Sequence, residues 1–204
     1  MPGIAVLDVV MVLALVGGTL NGLRVGALQQ VASLVILYVS VVITTRFYRF
    51  VLPFANRLMA GAPTAIVEAA VFTAFLVILY LILSILILDL ALSRQRERRG
   101  TGYNWRHMDY QTGQSLGSVL NHLGGLAIGF VITAVWIGIG LLIYRFVLSG
   151  NWVQWEDWRH RLLRDYQASI LVPAFQAVLP LVLKTIEPWL PGGLPGMFQP
   201  PQGS

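Results

Sequence analysis

An all-α integral membrane protein is the fold class this sequence predicts, on three observations. The chain of 204 residues is 56% hydrophobic and only 11% charged, whereas a soluble domain carries about 25% charged residues. Four stretches are long and apolar enough to cross a bilayer, which takes about 20 residues at ~1.5 Å each. The segments between and after them carry arginine and tryptophan, side chains that settle at membrane boundaries. So little charge cannot cover a water-facing surface, and lipid is the expected solvent.

The first helix is expected over residues 4–23, broken only by Asp8 near its start and by Thr19 and Asn21 near its end. A sharp reversal follows in "LNGLRVGALQQ", and the second helix is expected over 27–45. So short a junction makes these two helices an antiparallel hairpin. Gly18, Gly22 and Gly26 recur at spacing four, a bare face that lets two backbones approach closely in lipid, where packing replaces the hydrophobic effect. Arg24 falls at the negative end of the first helix dipole, and Gln29 and Gln30 are placed to satisfy backbone groups left open by the turn. Helix packing with a water-facing reversal is the favoured reading of Arg24; anion or partner binding is the alternative.

Residues 46–65 contain "RFYRFVLPFANRLMAGAP" and are expected to lie along the interface, arginine stems in the boundary and guanidinium groups among the headgroups. The third helix, 66–92, is too evenly apolar for a soluble amphipathic helix. Its polar connection opens with Arg94, Arg96, Arg98 and Arg99. Acidic lipid headgroups are the expected partner of this cluster, and nucleic acid is not. By the positive-inside rule the cluster places this loop in the cytoplasm and both termini outside, although the second connection and the C-terminal segment argue the other way.

The fourth helix is expected over 123–148, completing a transmembrane domain of residues 1–148. Gly113, Gly117, Asn121, Gly125, Gly129 and Thr133 form a second row at spacing four. "LNHLGGLAI" at 120 echoes "LNGLRVGAL" at 20, with too few matches for an internal repeat. Residues 149–187 are expected to be amphipathic and interfacial, anchored by Trp152, Trp155 and Trp158 at spacing three. Within them, 170–183 is too short to span and carries Pro173 and Pro180, so a surface-lying or partly inserted element is expected. Residues 188–204, rich in proline and glycine, are expected to form an extended tail.

Chemistry-bearing residues are few. Cysteine is absent, which removes disulfides and thiol chemistry. The three histidines, His107, His122 and His160, lack metal-ligand spacing, and His122 reads as an interfacial residue before a tetrapyrrole ligand. No metal, cofactor or catalytic residue is expected. Asp8, Glu68 and Asp89 are the intramembrane or boundary acids. For Asp8 and Glu68, near helix starts, structural use outweighs a proton relay, because the positive dipole end favours an anion. Asp89 is expected to reach the interface or pair with an arginine such as Arg94. The net charge of +5, carried mostly by arginine with Lys184 the single lysine, fits headgroup contact and topology better than nucleic acid. No basic n-region precedes the first apolar run, so a secretory signal peptide is not expected.

Taken together, these residues resemble the CvpA family, the colicin V production proteins of bacterial inner membranes. "LDVVMVLALVGGTLNGLRVGALQQVASLV" is similar to that family's aspartate-led first helix, glycine–arginine–glycine turn and second helix, with Asp8, Gly22, Arg24 and Gly26 as the pattern residues. "LNHLGGLAIGFVI" is similar to its GxxxG lead-in through Gly125 and Gly129. "SILVPAF" resembles its serine-x-leucine-x-proline element through Ser169, Leu171 and Pro173. Departures are glutamine where an acid usually follows the turn, Asn121 for an aspartate, and a missing arginine after the second GxxxG glycine. The resemblance implies a multipass inner-membrane protein linked to colicin V production and envelope physiology, and no defined enzymatic activity. A non-enzymatic protein working through assembly, self-association or contacts with other membrane proteins is therefore expected. An accessory subunit of a larger membrane complex, such as bioenergetic machinery, is the alternative, and a small transporter or oligomeric channel the third.

Overall fold

A computed structural model describes residues 5–100, 116–150 and 156–189, with side chains in the third helix described as far as Ile87. Among these residues there is no strand; six α-helices follow one another, α1 (Val6–Val25), α2 (Ala27–Leu58), α3 (Thr64–Gly100), α4 (Leu116–Ser149), α5 (Glu156–Ala168) and α6 (Leu171–Ile186), with a short 3-10 turn at Glu187–Trp189. Four of them are long and apolar enough to cross a membrane: Val6–Val25, Ala27–Leu58, Thr64–Ile87 and Val119–Ser149. Their outward faces carry large apolar side chains such as Leu13, Val35, Ile78, Ile82 and Phe130. Such a surface is stable against hydrocarbon, where each helix satisfies its own backbone.

One finding corrects the expected second connection. Residues 46–58, expected as part of a connection lying along the interface, continue α2, which runs 32 residues with Pro53 inside it. Nothing before Pro53 ends a helix, and Phe47, Phe50 and Phe54, all exposed, fall at i, i+3 and i+7 on one side. The rings of Phe47 and Phe50 lie 6.1 Å apart. The segment keeps its interfacial amphipathicity as helix, and the true reversal shrinks to Met59–Pro63 around Gly61, at φ 102°.

The chain directions follow from the contacts. Met11 of α1 packs with Leu141 of α4 and Val172 of α6, while Gly22 faces Gly125 and Gly129, so α1 and α4 are antiparallel. α2 starts beside Asn121 and therefore runs with α4; α3 returns against both. The core lies between α2, α3 and α4, built from Leu37, Val41, Tyr48, Phe72, Leu76 and Ile139. Edge-to-face pairs, Tyr48–Phe72 at 5.5 Å and Tyr80–Trp136 at 5.4 Å, tie α3 to its neighbours with the geometry aromatic quadrupoles favour.

The C-terminal elements return to the end where α1 begins. α5 docks on α4 through Tyr144 Oη donating to the Leu162 carbonyl (3.2 Å) and Arg159 Nε donating to the Leu148 carbonyl (2.9 Å). α6 then bends away from α5 by 78° and descends along the bundle, so that Tyr38 of α2 donates to the carbonyl of Thr185 (2.8 Å). Pro173 sits in its first turn, where a missing N–H costs nothing, and Pro180 lies inside it. Trp158 is exposed, with Arg161 stacked 5.6 Å from its ring centre. Trp152, Trp155 and residues 190–204 lie outside the described residues, as do the side chains of Asp89 and Arg94–Arg99 and the connection 101–115.

Candidate functional site at the helix junctions

The first four N–H groups of a helix have no partner within it. Local caps do not supply one here: α1 and α2 start after Ala5 and Gly26, neither with a side-chain oxygen, and neither makes a side-chain cap bond of its own. Other helices supply the acceptors. Asp165 of α5 reaches α1 and accepts from the backbone N–H of Val6 (2.9 Å) and of Leu7 (3.1 Å). Asn121 of α4 accepts from the N–H of Ala27 through Oδ1 (3.1 Å), capping α2.

The third junction is the densest. Asp8, 7% exposed, sits one turn into α1. Its carboxylate accepts from the Ser169 hydroxyl, from the N–H of Ile170 (3.1 Å) and from the N–H of Leu171 (3.2 Å). Ser169, itself buried, uses its oxygen a second time as acceptor for the N–H of Val172 (3.2 Å). Carboxylate and hydroxyl together thus satisfy the open donors of α6, and the negative charge lies at the positive end of that helix dipole. The Asp8 carboxylate bonds to residues lying 161–163 positions away in sequence and not to the start of its own helix. Asp8 of α1 caps α6 while Asp165, three residues before α5 ends, caps α1; the two exchanges clamp the same corner.

The glycine rows form the second part of the site. A Cβ on Gly22 would collide with the carbonyl oxygen of Gly125 and lie 2.9 Å from Gly129 Cα; one on Gly129 would lie 2.8 Å from Gly22 Cα. Gly18 faces Thr133 in the same way. Gly18, Gly22 and Gly26 of the first row and Asn121, Gly125, Gly129 and Thr133 of the second are therefore the two halves of one seam, and the echoing stretches at 20 and 120 lie against each other; Gly113 lies outside the described residues. The seam ends at Gly26, φ 88°, a backbone angle suited to glycine, whose N–H donates to Gly22 O (3.0 Å). The open donor after the turn goes to Asn121 and not to Gln29 or Gln30, whose own residues already lie inside α2. Arg24 is exposed in the last turn of α1.

Glu68, half-buried in α3, accepts from the hydroxyl of Tyr48 (3.1 Å), with Arg49 beside that hydroxyl. Tyr48 continues a polar line on α2 through Thr44 and Ser40, all buried. Ser40 donates back to the Ile36 carbonyl (2.7 Å), while the hydroxyls of Thr44 and the adjoining Thr45 have no partner among the described residues. Among the described residues no three His, Asp or Glu side chains are grouped to hold a metal.

Asp8 and, far from it in sequence, Ser169, Leu171 and Pro173 come together at one junction. Asp165 is not expected at this corner from the sequence. The available signal was negative: an α1 start with no Ser, Thr, Asp or Asn at its cap implies a donor satisfied from elsewhere.

Four membrane-crossing helices closed by cross-helix caps and one glycine seam define a multipass all-α membrane protein. A family model described as colicin V production protein matches residues 7–102. Over α1 to α3 the chain is thus similar to the CvpA family. No curated protein and no solved structure matches it.

Proposed function

We propose that this chain is a non-enzymatic protein of the bacterial inner membrane with a colicin V production-type role in envelope assembly. The match of residues 7–102 to that family carries the reading. The use of Asp8, Asp165 and Asn121 in fixing helices to one another supports it, since those polar side chains are committed to backbone donors and are not left to converge on a substrate. In this reading the clamped corner holds the bundle in the shape its membrane partners recognise. The test is genetic: in a colicin V-producing host lacking its own family member, this chain restores toxin release, and an Asp8→Ala variant that still inserts does not. Failure of the wild-type chain to restore release overturns the reading.

A second reading, a small transporter or oligomeric channel, is favoured by the buried line Ser40, Thr44 and Tyr48 leading to half-buried Glu68, with the hydroxyls of Thr44 and adjoining Thr45 unpartnered among the described residues. Purified protein in liposomes decides between them: saturable solute flux lost in Thr44→Val supports transport, and its absence supports the first reading.

A further inference from the structure

Where α4 ends, three helices leave a crevice between them. Leu141, Leu142 and Arg145 of α4, Tyr166 of α5, and Phe175 and Gln176 of α6 line it. Its empty volume, open solvent included, is about 230 Å³. Its narrow interior has room for about one water-sized group, such as a single oxygen of a larger ligand.

The walls are apolar, and the polar groups at the mouth are donors. Gln176 donates through Nε2 to the Tyr166 hydroxyl (2.7 Å), so that oxygen is already an acceptor and its proton is available to a ligand. Arg145 is half-buried, and no carboxylate among the described residues pairs with it. Asp165, next to Tyr166, is engaged by the N–H groups of Val6 and Leu7. A guanidinium withdrawn from water without a counter-charge is costly. An anion supplied from outside the chain removes that cost.

The position says which kind of anion. Arg145 lies one turn before Ser149, where the α4 span ends, the depth at which lipid phosphates meet arginine. Leu141, Leu142 and Phe175 are the apolar lining of the crevice, giving the first acyl carbons a wall; a free inorganic phosphate has nothing to place there. We propose that this crevice binds an anionic phospholipid, its phosphate on the Arg145 guanidinium and the Tyr166 hydroxyl and its first acyl carbons against Leu141, Leu142 and Phe175. The site goes beyond the envelope role above and does not depend on it.

The test uses the full chain in phosphatidylcholine nanodiscs, titrated with phosphatidylglycerol, with thermal shift and retained lipid by native mass spectrometry as readouts. Wild-type protein is expected to retain one phosphatidylglycerol about tenfold more tightly than Arg145→Gln, the range a charge-assisted hydrogen bond supplies. Tyr166→Phe, which keeps the ring, is expected to lose a few-fold, and it decides the matter should Arg145→Gln fail to fold. Arg57→Gln, an exposed arginine at the end of α2, is expected to change nothing. Equal retention in wild type and the site variants overturns the proposal, as does an equal loss in Arg57→Gln, which marks general charge attraction. Inorganic phosphate giving the same shift as the lipid also overturns it, by making the ligand a free anion.

Discussion

At the scale of single residues, the corner is held by a few oxygen atoms. Asp8 carries three bonds to Ser169, Ile170 and Leu171 at the entry to α6, and a hydrogen bond to a charged group contributes about 1.5–3 kcal/mol. Asp8→Asn keeps the shape and one acceptor but loses the charge. It is expected to destabilise the protein by about 1–2 kcal/mol, read as a lower melting temperature in detergent and faster proteolysis near residue 169. Asp8→Ala is expected to cost more. The Asp8→Ala and Ser169→Ala effects are expected to be strongly non-additive, because the two side chains share one set of donors; additive losses would show that Ser169 caps α6 unaided. At Asn121 the required feature is the acceptor, so Asn121→Asp is expected to preserve stability while Asn121→Leu lowers it by about 1 kcal/mol. Asp8 as an important acid was legible in the sequence, from its place in an apolar run. Its partner was not, because a cap between distant helices leaves no local spacing to read.

At the scale of elements, α1 and α4 touch backbone to backbone, and size alone decides what fits. Gly22→Ala and Gly125→Ala are each expected to push the helices apart and lower stability by about 1–3 kcal/mol, the scale of overpacking a tight interface. Gly17 and Gly140 have open space where a Cβ would go. Alanine there is expected to be neutral or to stabilise by up to about 1 kcal/mol through helix propensity. Melting temperatures of the four variants in one detergent check this; equal losses at all four positions would show that the seam is not specific. Each glycine row was legible from its spacing of four. That the rows face each other was not, since about 100 residues separate them and spacing says nothing about which helices meet. The continuation of α2 past Arg46 was obscured for another reason: in a membrane chain, a change in composition marks a change of solvent and need not mark the end of a helix.

For the whole molecule, the bond from Asp165 to the start of α1 fixes topology. The chain must return to the side on which α1 begins before α5 can reach it, so an even number of crossings separates residue 6 from residue 165. Four spans meet this condition. The chain has no cysteine, so single cysteines can be introduced for labelling without a background. Positions 24 and 100 are expected to label from one side of the membrane, and positions 61 and 150 from the other; any other pattern removes the four-span topology. The number of spans was legible because hydropathy reports the solvent directly. The closure of the bundle was not, because it depends on α5 and α6, whose polarity alone leaves their depth open.

The borrowed cap on α1 also sets the order in which the protein can mature. During translation α1 is threaded into the bilayer long before codon 165 is read, so its first donors wait on a residue not yet made. A chain halted after α4 should therefore insert yet remain open at that corner, exposed to membrane proteases until the last two helices emerge and close it.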